Sequence, residues 1–241
     1  MGRERGPLGG PSPNQGSAGR WILVALAIFD LDNTLLAGDS DYLWGQFLVA
    51  RGLVDPQRYA QENERFYRDY REGTLDIHAF MRFALRPLRD HPRALMETLR
   101  EEFLREQIEP IMLPAARALV DRHRAAGDTL LIITATNAFV TAPIAAAFGV
   151  PHLIASVPEE RGGAYTGRVA GIPAFREGKV QRLDDWLAGS PEGLAGSSFY
   201  SDSHNDLPLL LKVERPIAVD PDPLLRAEAQ ARGWPLLSLR G

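Results

Sequence analysis

The sequence contains no cysteine. Disulfides, thiolate zinc sites and a cysteine nucleophile are therefore excluded, and the composition suits a reducing compartment. Histidine is sparse. The five, His78, His91, His123, His152 and His204, are scattered without an HExxH-like spacing, which argues against a histidine-built zinc site. Neither sign of charge dominates. With 27 Lys and Arg against 31 Asp and Glu, the formal net charge is −4, which speaks against a nucleic-acid polyanion as the main partner. Apolar runs long enough to span a membrane are also lacking. The run "WILVALAIF" is short and enters Asp30 and Asp32 with no small-residue cleavage site, so it is not expected to be a signal peptide. A soluble, cytoplasmic protein is expected, without a membrane or nucleic-acid partner.

What is present suffices for a sizeable core. The chain has 241 residues, 45% of them hydrophobic, enough for one large domain or a core with a smaller domain attached. Residues 1–20, rich in Gly, Pro and Arg, are expected to be disordered. Residues 22–29 form a continuous apolar run, the pattern of a strand buried on both faces. From 40 to 113 the texture changes to apolar residues at three- and four-residue spacing, interrupted by Pro and Gly, which predicts a block of about four helices. In that block "ERFYRDYREG" interleaves acids with its basic residues, so it reads as a helix face rather than an RNA contact. Strand–helix alternation follows. "PAARALVDRHRAAG" is a helix opened by Pro114 and closed by Gly127. Strands are expected at "DTLLIIT", "HLIASV", "SSFYSD", "PIAVD" and "WPLLSL", a hairpin or ribbon at "GGAYTGRVAG", and helices at "AFVTAPIAAAFG", "EGKVQRLDDWLAG" and "NDLPLLLKV". Such alternation predicts an α/β fold, a Rossmann-like, doubly wound parallel sheet. The helical block is then an insertion. A core of 21–39 and 114–241 would carry a four-helix cap at 40–113.

Ligands of open parallel sheets bind at the carboxyl ends of the strands. Three strands here run into polar clusters: Asp30-Leu31-Asp32-Asn33-Thr34, Thr134-Ala135-Thr136-Asn137, and Ser201-Asp202-Ser203-His204-Asn205-Asp206. Residues i and i+2 of an extended segment point the same way, so Asp30 and Asp32 can share one site. Their repulsion, with that of Asp202 and Asp206, calls for a hard cation, and Mg²⁺ suits a site with few protein ligands. Taken alone, the pair could equally cap helices. Such a site fits phosphoryl chemistry with a carboxylate nucleophile. Thr134 can offer a hydroxyl to a phosphate oxygen. Lys179 is the only lysine between Thr134 and Asp202 and can neutralise phosphate charge, although in isolation it reads as a solvated surface lysine.

These residues, taken in order, resemble a haloacid dehalogenase superfamily phosphatase, in the branch similar to phosphoserine phosphatase and histidinol phosphatase. The resemblance covers nearly everything after residue 21. Asp30, Asp32 and Thr34 match the first motif, DxDxT; Thr134 the second; Lys179 the third; Asp202 and Asp206 the fourth, DxxxD. A helical cap after the first motif is this branch's arrangement. The resemblance implies that Asp30 is the nucleophile forming an aspartyl-phosphate and Asp32 the general acid, then base. It implies Mg²⁺ on Asp30, Asp202 and the backbone carbonyl of Asp32, with Asp206 in support, and a phosphate held by Thr134 and Lys179. The chain departs from the phosphoserine pattern in two places. Thr134-Ala135-Thr136 stands where Ser-Gly-Gly is usual, and Ser201 to Asp206 where Gly-Asp-Gly-x-Asn-Asp is usual.

Specificity is expected from the cap. Asp39 aligns with an acid that meets a substrate ammonium, and Arg82 with an arginine that meets a carboxylate. The alternatives are that Asp39 caps a helix and that Arg82 is solvated. Asn205 is a further candidate for substrate contact. The implied substrate is a small phosphorylated metabolite, histidinol phosphate or phosphoserine. Two other functions use the same residues: a phosphotransferase or mutase, and a regulator that binds a phosphometabolite without turnover.

Overall fold

The computed structural model describes residues 25–241. The disorder expected at 1–20 and the first residues of the run at 22–29 lie outside the described residues. The described part of that run is β1, Leu26–Phe29, buried at all four positions. The insertion follows as α1 Ser40–Ala50, α2 Pro56–Arg71, α3 Ile77–Ala84, α4 Arg86–Asp90 and α5 Arg93–Phe103, then a π-helical turn Leu104–Ile108 and a 3₁₀ turn Glu109–Ile111. One expected helix is thus two. The Leu85 N–H closes α3 on Met81 O, and Pro87, which has no N–H to donate, sits in the first turn of α4.

The chain then alternates through α6 Pro114–Ala126, β2 Thr129–Asn137, α7 Ala138–Ala147, β3 His152–Arg161, β4 Ala164–Ala170, α8 Glu177–Ala188, β5 Ser198–Ser201, α9 Leu207–Leu210, β6 Arg215–Val219, α10 Pro223–Arg232 and β7 Leu236–Leu237. The seven strands form one sheet in the order β4-β3-β2-β1-β5-β6-β7. Every pairing is parallel except β3 with β4. That hairpin turns on Gly162 at φ 57° and Gly163 at φ 81°, the positive pair that a two-residue hairpin turn needs. Helix α10 was not expected from the sequence. Asp222 starts it by accepting from Leu224 N and Leu225 N.

Both faces of the sheet are covered. Ala27 and Phe29 of β1 enter one apolar cluster with Leu119 of α6 and Phe139 of α7. Leu26 and Ile28, pointing the other way, enter a second with Leu183 of α8 and Leu225 of α10. Trp44, Phe47 and Phe103 of the insertion join the first cluster, so α1 and α5 share the core of the sheet. Tyr59, Phe66 and Phe83 form a separate aromatic cluster farther out. The two connections of the insertion pair with each other through Leu36 and Met112, with Ala37 N donating to Ile111 O at 2.8 Å. Among the described residues, no helix is long and apolar enough to cross a membrane.

Candidate active site

The carboxyl ends of β1, β2 and β5 meet, as their parallel pairing requires. Asp30 N continues the β1–β5 ladder by donating to Tyr200 O at 2.9 Å. The chain then folds sharply: Leu35 N and Leu36 N both return to Leu31 O, and Asn33 takes a φ of 57°. This turn carries Thr34 under the site. Its hydroxyl accepts from Asp202 N at 3.0 Å and lies 3.1 Å from Asp202 Oδ1 and 3.4 Å from Asp30 Oδ2. One hydroxyl thereby ties the ends of two strands together.

Lys179, from the first turn of α8, is 3% exposed. Its Nζ donates to Asp30 Oδ1 at 2.7 Å and to Asp206 Oδ2 at 2.8 Å. Ser201 Oγ donates to Asp206 Oδ2 at 2.7 Å. Asp32 is held differently. Its Oδ1 accepts from Ser40 N at 2.6 Å and its Oδ2 from Thr136 Oγ1 at 2.8 Å, with Thr134 Oγ1 at 3.4 Å.

Burial pushes the Asp30 carboxyl up to about 7, against the pull of Lys179. Burial also lifts Asp32 to about 6, and the charge of Asp39 adds to it. Asp202 is held well above the usual carboxylate range by burial, then by the charges of Asp30 and Asp206. The Lys179 ammonium loses hydration, yet Asp206 and Asp30 more than restore its proton. Too many carboxylates thus surround one ammonium.

Asp30, Asp32, Thr134 and Lys179 form the floor of a cavity. Asp39, Asp41 and Asn63 line its side, and aromatic residues of α2, α3 and the segment before α8 cover it, among them Phe66, Phe80 and Phe175.

A family model for haloacid dehalogenase-like hydrolases matches residues 27–211. The chain belongs to the haloacid dehalogenase-like hydrolase family. It is 46% identical over 219 residues to a histidinol-phosphatase of Neisseria meningitidis serogroup C (strain 8013), covering 89% of this chain and 99% of that one. It is 32% identical to a phosphoserine phosphatase of Mycobacterium tuberculosis (strain ATCC 25618 / H37Rv), over 90% of this chain and 72% of that one. A protein of unknown function from Bordetella pertussis Tohama I superposes with a TM-score of 0.85 at 49% identity, covering 90% of this chain and 99% of that one. A substrate-bound phosphoserine phosphatase shares the fold at a TM-score of 0.67 and 17% identity, over 89% and 92% of the two chains.

Within this hydrolase fold the expected site residues divide. Asp30, Asp32, Thr134, Lys179 and Asp206 share the cavity, and Asp202 adjoins it through Thr34. Lys179 is buried, not solvated. Asp39 caps α1 by accepting from Asp41 N and Tyr42 N, and it lines the cavity. Arg82 is corrected. It is exposed and does not line the cavity. Ile77 and Phe80 are the α3 residues that do, and two steps beyond Phe80 a side chain is about 200° round the helix. Asn205 is not among the cavity residues either. Its Oδ1 accepts from Arg176 Nε at 2.9 Å and its Nδ2 donates to Tyr70 O at 3.1 Å, so both ends of the amide are engaged. Thr136 and Ser201, given no role of their own in the strand-end clusters, bond Asp32 and Asp206, and Asp41 was not singled out. Thr136 had a signal, standing two residues beyond Thr134 on the same strand.

Among the described residues, no three His, Asp or Glu side chains converge as a ready ligand cluster. The side chains fit a cation that needs fewer. Asp30 Oδ2 and Asp202 Oδ1 share the Thr34 hydroxyl, and Mg²⁺ is commonly bound by one or two carboxylates, with water and substrate phosphate completing its shell. Asp206 is committed to Lys179 and Ser201, and the Asp32 carboxylate to Ser40 and Thr136. Neither side chain is free to be a ligand as it stands.

Proposed function

We propose that this chain is a Mg²⁺-dependent phosphatase that hydrolyses a small amino-bearing phosphomonoester through an aspartyl-phosphate on Asp30. The observation that carries this reading is the pair of aspartates facing one cavity in different company, Asp30 against Lys179 and Asp32 against the Ser40 amide and the Thr136 hydroxyl. Asp30 attacks phosphorus through a carboxylate oxygen. Asp32 gives a proton to the departing alkoxide and takes one from the water that opens the acyl phosphate. Lys179 and Thr134 hold the phosphoryl oxygens. Asp206 and Ser201 fix Lys179 from behind. Mg²⁺ would be held by Asp30, Asp202 and the Asp32 carbonyl, with Asp206 supporting the site through Lys179 rather than as a ligand, and would supply charge neutralisation at the phosphoryl group. In this reading residues 40–113 are the cap of a core formed by 21–39 and 114–241.

The cavity favours histidinol phosphate over phosphoserine as substrate. Among the described residues, Lys179 is the only Lys, Arg or His lining it, so a substrate carboxylate would meet no cation of its own. Asp39 offers the opposite charge to an ammonium. The histidinol-phosphatase relative, identical at 46% of aligned positions, supports the same choice. Phosphate release from histidinol phosphate, phosphoserine and an aryl phosphate tests the reading. Release should stop with EDTA and return with Mg²⁺ but not Ca²⁺, whose larger shell loosens the geometry. Full activity in metal-free buffer would contradict the metal site. Transfer to an added alcohol in place of water would make the enzyme a phosphotransferase.

A further inference from the structure

Asp39 is not the only carboxylate that looks into the cavity from the start of α1. Asp41, two residues on, lines it too and is 9% exposed. An acid in the first turn interacts well with the helix dipole, but that needs no burial. Asp41 has poor compensation for its burial. Asn137 Nδ2 lies 3.3 Å from its Oδ1, and among the described residues its Oδ2 accepts no hydrogen bond. Asn137 is itself fixed, since its Oδ1 caps α7 by accepting from Val140 N at 3.3 Å. The amide therefore orients Asp41 without neutralising it. Lys179 is already shared between Asp30 and Asp206, and no other cationic side chain among the described residues lines the space.

The cavity that Asp41 lines has aromatic walls, with Tyr42, Phe66, Phe80 and Phe175 among its lining residues. Ring faces attract cations and stack on planar groups. A carboxylate with a free oxygen and flat apolar walls together suit a planar, positively charged ring. We propose that Asp41 is a specificity-determining residue that binds a second basic group of the substrate, a planar imidazole-type ring, while Asp39 meets the amine. The preferred substrate is then a phosphorylated amino alcohol with two basic groups. This rests on the phosphatase reading and adds a subsite to it.

The test compares histidinol phosphate, which carries amine and imidazole, with 2-aminoethyl phosphate, which carries the amine alone, and with 4-nitrophenyl phosphate, which carries neither. In Asp41→Asn the preference for histidinol phosphate over 2-aminoethyl phosphate, as a ratio of kcat/KM, should fall by ~30-fold or more, chiefly through KM. Asp41→Glu should recover part of it. Equal losses on all three phosphates would make Asp41 a structural residue of α1 and overturn the proposal. A second measurement needs no variant. Calorimetric titration of the wild-type protein should show histidinol binding at least ~10-fold more tightly than 2-aminoethanol. Equal binding would overturn the ring subsite even if phosphate is released from every ester. Tight histidinol binding without any phosphate release would instead overturn the phosphatase reading and leave the subsite standing.

Discussion

Asp30, Lys179 and Asp206 show how a buried charge cluster is made tolerable. A lone buried ammonium is strongly disfavoured, and two carboxylates within 2.8 Å keep Lys179 charged. Their combined charge then exceeds that of the lysine, and Asp202 adds to the surplus. Replacing Asp30 by Asn keeps the shape, leaves Lys179 paired with Asp206 and removes the attacking oxygen. Asp30→Asn should therefore fold and lose turnover by on the order of 10³-fold or more, read as kcat with a melting curve as control. Near-normal turnover would end the covalent mechanism. Thr34 has a different role. Its hydroxyl accepts from Asp202 N and reaches both Asp202 and Asp30. Thr34→Val strands a buried amide and should cost about 1–3 kcal/mol by thermal melting. The same variant should need more Mg²⁺ for half-maximal activity, because the two carboxylates lose their common partner.

Helix α1 lies between the sheet and the outer aromatic cluster, and glycine makes that possible. Trp44 and Phe47 of α1 pack with Phe103 of α5. On another face Gly45 leaves room for Tyr59 of α2, whose ring occupies the space that a Cβ at this position would take. In an exposed helix, Gly→Ala gains about 1 kcal/mol of propensity. Here the methyl must displace a buried ring, and overpacking typically costs about 1–3 kcal/mol. Gly45→Ala should therefore lower the urea midpoint without changing the m value. A stabilised Gly45→Ala protein would mean that α2 moves away from α1 at little cost.

At the scale of the whole molecule, the insertion is held against the sheet edge by a latch. Tyr70 near the end of α2 bonds Ser203 Oγ through its hydroxyl at 3.0 Å, and its carbonyl accepts from Asn205. Arg176, just before α8, donates to Asn205 Oδ1 and, at 2.5 Å, to Gly73 O. Arg176 makes these bonds from a backbone conformation of φ 51° and ψ −122°, a region costing of order 1–3 kcal/mol for a residue with a side chain. The strain sits three residues before Lys179, so the same segment serves the reaction and the latch. Arg176→Ala should lower kcat/KM by ~10-fold and speed hydrogen exchange at residues 70–75, because a looser cover excludes water less well. Arg176→Gly should lose the same activity yet melt higher than Arg176→Ala, since glycine relieves the strain. Unchanged exchange in both would show that the Tyr70 contacts alone hold the insertion.

Local order along the chain determined the sheet strands, the polar residues at their carboxyl ends and the long insertion. An apolar run ending in Asp30 and Asp32, Pro114 opening α6 and Gly127 closing it at φ 83° are consequences of short-range sterics and burial, which a linear sequence records. Because parallel strands place their carboxyl ends on one edge, the order of strands along the chain is enough to gather Asp30, Thr134 and Asp202. Other features depended on segments far apart. Whether Lys179 was solvated or buried depended on Asp30, 149 positions away. Asn205 became part of a latch because Tyr70, 135 positions away, packs above it. Arg82 was turned to solvent by the packing of α3, which aims Ile77 and Phe80 at the cavity instead. Asp41 had no signal in the sequence, and only the fold sets it on the wall of the cavity. Periodicity shows that a helix has a buried face, but what that face meets depends on which distant segment covers it, and only the tertiary structure decided that.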